Sequence, residues 1–313
     1  MRKIYFSIAI IILLSLVLGT TKPAAAQADS LKPWQTGGVT SLLFTQVALS
    51  NWSAGGQNSL SATAMINLFA NYHKKRSQWD NTLDLCYAMQ KQGKGSVIKS
   101  DDKIDLSSKY GQYAFKHWYY TAMLNFKTQF AQGYNYPNDS VMISDFMAPA
   151  YLTIALGMDY KPTDYFTLLI APITGRMTFV NNQTLANQGA FGVDPATFDD
   201  SHNVLTAGKK TRAEFGGYIK AALKYDIMKN ITLQAKVDMF SNYLKDAQNI
   251  DINGELLIDM KINKYISASI MVNTIYDDDV KINIDDNKDG ITDRTGPRTQ
   301  FKEVLGIGFS YKF

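Results

Sequence analysis

The 313-residue sequence has a single cysteine, Cys86. One cysteine excludes an intramolecular disulfide framework and any cysteine-clustered zinc or iron–sulfur site. Charged residues are also few, at 19%, whereas aromatic residues reach 12%, and this balance excludes a disordered chain. Downstream of residue 26 the sequence lacks an apolar run long enough to cross a membrane as a helix.

The first 26 residues have the three-part layout of a secretory signal peptide. Arg2 and Lys3 precede an apolar run over residues 4–18, and Ala24-Ala25-Ala26 provides a small-residue cleavage site. The apolar run is short for a retained anchor, so we expect cleavage after Sec-type export. The mature chain would keep 29 basic and 28 acidic residues, because the leader contains three basic residues and no acid. This near-neutral charge gives no reason to expect a nucleic-acid partner.

Apolar and polar residues then alternate with a period of two, which is the signature of β-strands. In the second such segment, for example, Leu60, Ile66 and Leu68 lie on one face and Ser61 and Asn67 on the other. The twelve predicted strands are 38–50, 59–73, 78–90, 103–113, 117–130, 148–160, 165–179, 212–226, 230–244, 249–262, 265–277 and 300–313.

The connections between these segments alternate between tight turns and mostly long loops. Strands of 11 or more residues, short turns on one side and long loops on the other are typical of outer-membrane barrels. The pattern therefore predicts an all-β protein: a transmembrane antiparallel up-and-down β-barrel of about 12 strands at residues 37–313. It would follow the signal peptide 1–26 and a short periplasmic tail 27–36, with both termini periplasmic and outer-membrane lipid around the barrel. A soluble exported β-sandwich is the alternative.

Aromatic residues near strand ends support a membrane location, because such residues form belts at both membrane surfaces. The predicted interface aromatics are Trp52, Tyr72, Trp79, Trp118, Tyr160, Tyr225, Tyr243 and Tyr276. The last strand alternates and ends on Phe309, Tyr311 and Phe313. We interpret these three residues as a signal for the barrel-assembly machinery, which the chain would reach with periplasmic chaperones during biogenesis.

The face opposite the lipid-facing set carries charges of both signs. The residues predicted to line the lumen are Asp80, Asp84, Asp105, Lys109, Lys127, Glu214, Lys220, Lys224, Lys236, Asp238, Glu255, Asp259 and Lys261. Unpaired buried charges are costly, so water or opposite charges must surround them. A hydrophilic channel for small solutes and a closed structural or partner-binding barrel that acts through its loops both satisfy this condition. We expect a porin-like channel for small solutes and keep the closed barrel as the alternative; the sequence names no protein partner.

The loop before the last strand contains part of a calcium-binding pattern. Asp285, Asn287, Asp289 and Asp293 occupy positions 1, 3, 5 and 9 of such a loop, but position 12 is Gly296 instead of a bidentate acid. A calcium site and a solvated acidic loop are both compatible with this pattern. No other cofactor is expected.

Only three histidines are available to activate a catalytic nucleophile, and a surface hydrolase would need one of them. His73 and His117 fall at predicted short turns. His202 lies in a long loop beside Asp199, Asp200 and Ser201. We expect a protein that is not an enzyme.

Several short stretches, taken together, are similar to one family. They are residues 50–56 (SNWSAGG), 67–72 (NLFANY), 79–85 (WDNTLDL), 101–106 (DDKIDL), 145–151 (DFMAPAY), 263–267 (NKYIS) and 296–313. The chain resembles the Bacteroidota family catalogued as domain of unknown function 3078, over residues 33–313. The resemblance implies an outer-membrane barrel and brings no activity, substrate or catalytic residue.

Overall fold

The computed structural model describes residues 33–50, 57–136, 139–280, 282–287 and 292–313. The predicted signal peptide, Trp52 and Asp289 lie outside these residues. Twelve antiparallel strands pair in chain order and close into a barrel as β12 meets β1. They are β1 Trp34–Val47, β2 Ser59–Lys74, β3 Ser77–Gln92, β4 Ile98–Phe115, β5 Trp118–Thr128, β6 Ala150–Thr163, β7 Phe166–Phe179, β8 Thr211–Met228, β9 Ile231–Asn242, β10 Ile250–Lys261, β11 Ile266–Tyr276 and β12 Gln300–Lys312.

The predicted fold class is confirmed, and the two ends of the barrel differ as expected. The connections at one end are tight: 75–76, 116–117, 164–165, 229–230 and 262–265. We call this end the short-turn rim. The opposite end, the long-loop rim, carries 48–58, 93–97, 129–149, 180–210, 243–249 and 277–299. Among the described residues, no helix is long and apolar enough to cross a membrane.

Three predicted boundaries are wrong because the strands continue further than the alternation shows. β1 begins at Trp34, inside the predicted tail 27–36, because Trp34–Gly38 pair with Leu68–Tyr72 of β2. β4 begins at Ile98 instead of residue 103, and β6 continues to Thr163 instead of residue 160. Both extensions follow irregular pairing, after Ala88 of β3 and after Tyr160 of β6, which breaks the period of two.

The outward face of the barrel is a belt of exposed apolar side chains. Phe44 is 42% exposed, Leu156 48% and Leu305 57%. A water-soluble surface seldom carries so continuous an apolar area. The residues of this belt alternate along each strand with inward-facing ones, so register alone assigns each side chain to a face.

Aromatic side chains gather at the short-turn rim. The Trp34 ring lies 5.3 Å from that of Tyr72 and 5.8 Å from that of Trp79. Trp118 and Tyr160 are 4.9 Å apart, and Tyr225 lies 5.3 Å from Tyr165. At the long-loop rim, Tyr276 ends β11, and Tyr243, just after β9, packs 6.1 Å from Phe215. The three residues predicted as the assembly signal, Phe309, Tyr311 and Phe313, are all exposed at the short-turn end of β12.

Part of the barrel interior is an apolar core on the wall formed by β5–β9. Its members are Met123, Ala155, Leu169, Ala171, Tyr218 and Phe240. A second apolar cluster lies in the long loops, where Ala148 of loop 129–149 packs with Val180, Leu185 and Val193 of loop 180–210. These two long loops therefore pack on each other at the long-loop rim.

The interior cluster generates a stability prediction. We expect Leu169→Ala to lower the free energy of unfolding by about 2–5 kcal/mol, because Leu169 is fully buried and a cavity remains. Leu156→Ala is the matched control on the outward face, where Leu156 is 48% exposed and the surrounding medium fills the space left. The measurement is urea unfolding in micelles. Equal losses for the two variants would contradict a packed interior on this wall.

Candidate lumen site

The thirteen charged residues predicted to line the lumen all occupy inward-facing register positions. Most of their outward neighbours are apolar, as in β3, where Asp84 lies between Leu83 and Leu85, which pair with Leu68 and Ile66. The same alternation holds along β4, β5, β8, β9 and β10. Their contacts show that most of them bind one another.

Two ion pairs cross the barrel between strands that are six positions apart in a ring of twelve. Lys103 Nζ of β4 lies 2.9 Å from Glu255 Oε1 of β10. Lys236 Nζ of β9 lies 3.1 Å from Asp84 Oδ2 of β3. In each case the partners stand on opposite walls, so these two pairs tie the walls together through the lumen.

These ties require a flattened barrel. A round barrel of twelve strands would be about 24 Å across between backbones, from a strand spacing of about 4.8 Å and a tilt of about 40°. An extended lysine and an extended glutamate in contact span only about 14 Å between Cα atoms. The walls containing β3–β4 and β9–β10 therefore approach each other, and the ion pairs occupy the short axis of the cross-section.

A third group of charges in the lumen gathers around Asp105 and Asp238. Lys127 Nζ lies 3.3 Å from Asp238 and 3.7 Å from Asp105. Lys220 Nζ lies 3.2 Å from the other oxygen of Asp238, which also accepts a hydrogen bond of 2.7 Å from the Tyr218 hydroxyl. We call this group, with the two cross-lumen pairs, the middle network. Its four lysines face four carboxylates, so its net charge is zero.

A second cluster lies nearer the short-turn rim. Lys109 Nζ is 2.7 Å from the fully buried Asp159, and Lys161 Nζ is 2.8 Å from Asp80 and 3.7 Å from Asp159. His73 adds a contact of 3.3 Å to Asp80. The lumen therefore also contains paired charges between the middle network and the short-turn rim.

A third cluster stands near the long-loop rim. Arg176 binds Glu214 through two hydrogen bonds of 2.8 and 2.9 Å and lies 2.6 Å from Asp251. Arg212 Nη2 donates to Glu214 at 2.7 Å and also binds Asp279 of the loop that follows β11. This cluster attaches the loop 277–299 to the wall of the barrel.

The sequence missed about half of the partners in these clusters. The missing residues are His73, Lys103, Asp159, Lys161, Arg176, Arg212, Asp251 and Asp279. Several lie near strand ends or beyond the predicted ends, where the alternation is irregular. Of the predicted residues outside the clusters, Asp259 accepts a hydrogen bond of 2.9 Å from Ser269, while Lys224 and Lys261 lie toward the short-turn rim.

A cavity of about 510 Å³ lies inside the long-loop half of the barrel. We call it the vestibule. Leu43, Ala88 and Val304 provide apolar lining, and the ion pair between Lys302 Nζ and Asp101, 2.8 Å long, provides a polar side. Its size is that of a small-molecule binding site.

The predicted calcium loop is only partly described. Asp285, Asn287 and Asp293 lie within the described residues, and Asp293 accepts a hydrogen bond of 2.8 Å from the backbone N–H of Asp286. The Arg294 guanidinium, 2.7 Å away, holds the pKa of Asp286 below its usual value. No cluster of three or more histidine, cysteine or acidic side chains suited to a metal occurs in the described part of the chain. The calcium site stays a prediction.

The histidines stand apart from one another. His73 contacts Asp80, and the His117 ring packs 6.3 Å from that of Tyr160 at the short-turn rim. Near His202, Asp199 accepts hydrogen bonds of 2.9 and 2.7 Å from the N–H groups of Ser201 and Asn203. These bonds, with that from the Asn203 side chain, lower the pKa of Asp199. This carboxylate therefore serves the turn of its own loop.

Two family comparisons match separate parts of the barrel. The family described as "Protein of unknown function (DUF3078)" matches residues 44–134, and the one described as "Protein of unknown function, DUF481" matches residues 179–290. The resemblance to the first family is confirmed over 44–134. Its extension to residues 33–313 and the bacterial group stay predictions. No curated protein matches the chain.

Three solved structures with a similar fold are outer-membrane proteins. An outer membrane channel from Pseudomonas putida F1 is 10% identical, with a TM-score of 0.39, over 94% of this chain and 100% of that one. The NanC porin is 7% identical, with a TM-score of 0.36, over 87% and 98%. Outer membrane phospholipase A from Escherichia coli is 11% identical, with a TM-score of 0.32, over 92% and 94%.

Asp277, just beyond β11, is the titrating group of the long-loop rim. Burial, together with the nearby charge of Asp251, raises its pKa to about 6, while Arg176 and the N–H of Asp279 act in the opposite direction. The charge of Asp279 adds to the upward shift. Since an unfolded aspartate titrates near 3.9, the folded state binds the extra proton between these pH values. Stability from this group is therefore highest below pH 4 and is lost as pH rises through 6.

The raised pKa of Asp277 predicts how Asp277→Asn changes stability. We expect the variant to be more stable than the wild type at pH 7.5, by on the order of 1–3 kcal/mol, because it removes a carboxylate from beside Asp251. The difference should vanish near pH 4, where Asp277 is protonated. Urea unfolding in micelles at the two pH values measures it. The same difference in unfolding free energy between the variant and the wild type at both pH values would contradict the raised pKa.

Proposed function

We propose that this protein is an outer-membrane β-barrel whose lumen is closed to free axial passage by the middle network and which receives a small molecule in the vestibule. The observation that carries the proposal is the pair of ties between opposite walls, Lys103 with Glu255 and Lys236 with Asp84. A solute moving along the axis would have to separate these partners. The side chains of Lys103 and Lys236 are 31% and 37% exposed, so separating them from their partners costs less than the roughly 3–5 kcal/mol of a fully buried pair.

A membrane location is part of the proposal, and the apolar belt supports it. Strands in lipid must satisfy all backbone hydrogen bonds among themselves, which a closed barrel does. Both ends of the barrel segment lie at the short-turn rim, since Trp34 pairs with Tyr72 and Phe313 exchanges backbone hydrogen bonds with Gly38. In outer-membrane barrels the short turns face the periplasm. The vestibule and the long loops would then face the cell exterior.

A non-enzymatic role also belongs to the proposal. It is supported by the positions of His73 and His117 at the short-turn rim and by the hydrogen bonds that commit Asp199 to its own loop.

A gated conduit for small hydrophilic solutes is the second candidate. The balanced charge of the middle network favours it, because flexible lysines can exchange carboxylate partners without leaving net charge in the lumen. The two candidates differ in the resting state: the first predicts a closed barrel and the second predicts openings under voltage.

Planar-bilayer conductance of the purified protein separates them. We expect the wild type to be electrically silent, and the double variant Asp84→Asn/Glu255→Gln to conduct. The variant should prefer anions, because Lys103 and Lys236 keep their charge and lose their partners. If the double variant does not fold, Glu255→Gln alone cuts one tie and should give a smaller conductance of the same preference.

The matched control is Asp194→Asn, which removes an exposed ion pair with Lys209 in loop 180–210 and leaves the lumen unchanged. It should stay silent. Steady conductance of the wild type would overturn the closed lumen and favour the conduit. Silence of folded double variants would show that the middle network is not what closes the barrel.

A further inference from the structure

The interface between β1 and β12, which we call the seam, closes the barrel with a short ladder. Its registered pairs begin with Val39 opposite Lys312 and end with Phe44 opposite Ile307. Toward the short-turn rim, Gly38 and Phe313 extend the ladder by exchanging backbone hydrogen bonds of 2.9 and 3.0 Å. Toward the long-loop rim, the ladder has no registered pair beyond Phe44 among the described residues.

The same two strands stay paired with their other neighbours well beyond that point. β1 pairs with β2 as far as Val47 opposite Ser59, and β12 pairs with β11 as far as Gln300 opposite Ile275. Both strands therefore stay regular, and only the registered backbone pairing between them ends. We call the region between Thr45–Val47 and Val304–Gly306 the seam gap.

One side-chain hydrogen bond spans the seam gap. In an antiparallel ladder every second pair of opposite residues is hydrogen-bonded through the backbone. Gly38 with Phe313 is such a pair, and so is Phe44 with Ile307. If the ladder continued, the next hydrogen-bonded pair would be Gln46 with Leu305. Instead the Thr45 hydroxyl donates to the Leu305 carbonyl at 2.6 Å. A single hydroxyl replaces the backbone bonds of a continued ladder.

The seam gap lies at the height of the apolar belt. Phe44 and Leu305 on its two sides are exposed, and Phe301, four residues nearer the long-loop rim than Leu305, is exposed too. An open strand edge does not persist against hydrocarbon unless it borders a cavity or water. The vestibule is the cavity behind this edge, since its lining includes Leu43 and Thr45 of β1 and Val304 of β12.

Polar side chains stand on the outer lip of the seam gap. Gln46 and Glu303 are exposed on lipid-facing register positions, where Gln46 pairs with Leu60 and Glu303 with Val272. A carboxylate among lipid-facing residues is costly and marks a functional site. The surface therefore offers a polar entrance in an otherwise apolar wall.

We propose that the seam gap is a lateral portal through which a single-chain amphiphile with a small zwitterionic or neutral head group passes between the bilayer and the vestibule. This rests on the vestibule of the proposed function and identifies the class of its ligand. The chain would lie against Leu43, Ala88 and Val304. The head group would meet the Lys302–Asp101 pair, and because Lys99 is also paired, 3.0 Å from Asp102, no net positive charge favours an anion.

Photolabelling in nanodiscs tests the portal. The probe is lysophosphatidylcholine with a diazirine at the end of its chain, and labelled residues are mapped by mass spectrometry. We expect label on inward-facing residues of the vestibule, such as Leu43, Ala88 and Val304. In a Cys86→Ser background, Gln46→Cys/Leu305→Cys closes the seam gap when oxidised. Oxidation should abolish the inward label, and reduction should restore it.

The matched control is Leu42→Cys/Phe309→Cys, a lipid-facing pair within the sealed part of the seam. Its oxidation should leave the inward label unchanged. Thr45→Val keeps the shape of the side chain and removes the hydroxyl that bridges the seam gap. Labelling of the inward-facing residues should therefore become faster, and this measurement does not depend on a disulfide. This variant keeps the test decisive if cross-linking fails.

Three results would overturn the proposal. Inward label that persists in the oxidised Gln46→Cys/Leu305→Cys variant would show entry from the long-loop side, and the vestibule would then stand without the portal. Label confined to lipid-facing residues in every variant would show that the vestibule holds no amphiphile. An unchanged labelling rate in Thr45→Val would show that the probe does not pass where the Thr45 hydroxyl bridges the two strands, and the seam gap would then not be its route. Conductance tests the closed lumen independently of all three.

Discussion

A lysine on one wall of the barrel reaches a glutamate on the opposite wall, and this contact between Lys103 and Glu255 requires the barrel to be flattened. Flattening has two consequences. It brings charges that would be solvated in a round pore into direct contact, so each one must find an opposite charge because desolvation is costly. It also narrows the lumen at the height of the middle network, and the vestibule lies on the long-loop side of that network.

The sequence predicts the wall of the barrel better than its contents. Alternation assigns Asp84, Asp105 and Lys236 to the inward face because successive side chains of a strand point to opposite sides. It contains no information on which inward charges meet. Lys236 contacts Asp84 across 152 residues of sequence. That contact depends on the stagger of all the strands between them and on the flattening, and both are properties of the closed sheet.

Irregularities in the ladders account for some of the residues that sequence reasoning missed. Asp159 and Lys161 lie at the end of β6, where the pairing with β7 shifts after Leu156 and again after Tyr160. Such a bulge changes the period of two, and the predicted strand ended at residue 160. Trp34 was missed for a related reason: Gly37 and Gly38 interrupt the apolar pattern, although the chain pairs with β2 through them.

The seam differs from the other eleven interfaces in how the chain forms it. Each of the others joins consecutive strands through a connection, and the five short turns fix the register of their hairpins. The seam joins the two strands farthest apart in the chain, so only the pairing itself and the closure of the whole sheet set its register. Closing so long a loop carries the largest entropy cost. A ladder that ends at Phe44 and Ile307 is therefore placed where the barrel can open with the least loss of local structure. The vestibule, the exposed Glu303 and the Thr45 hydroxyl all occur at this place, in the half of the barrel that the middle network separates from the short-turn rim.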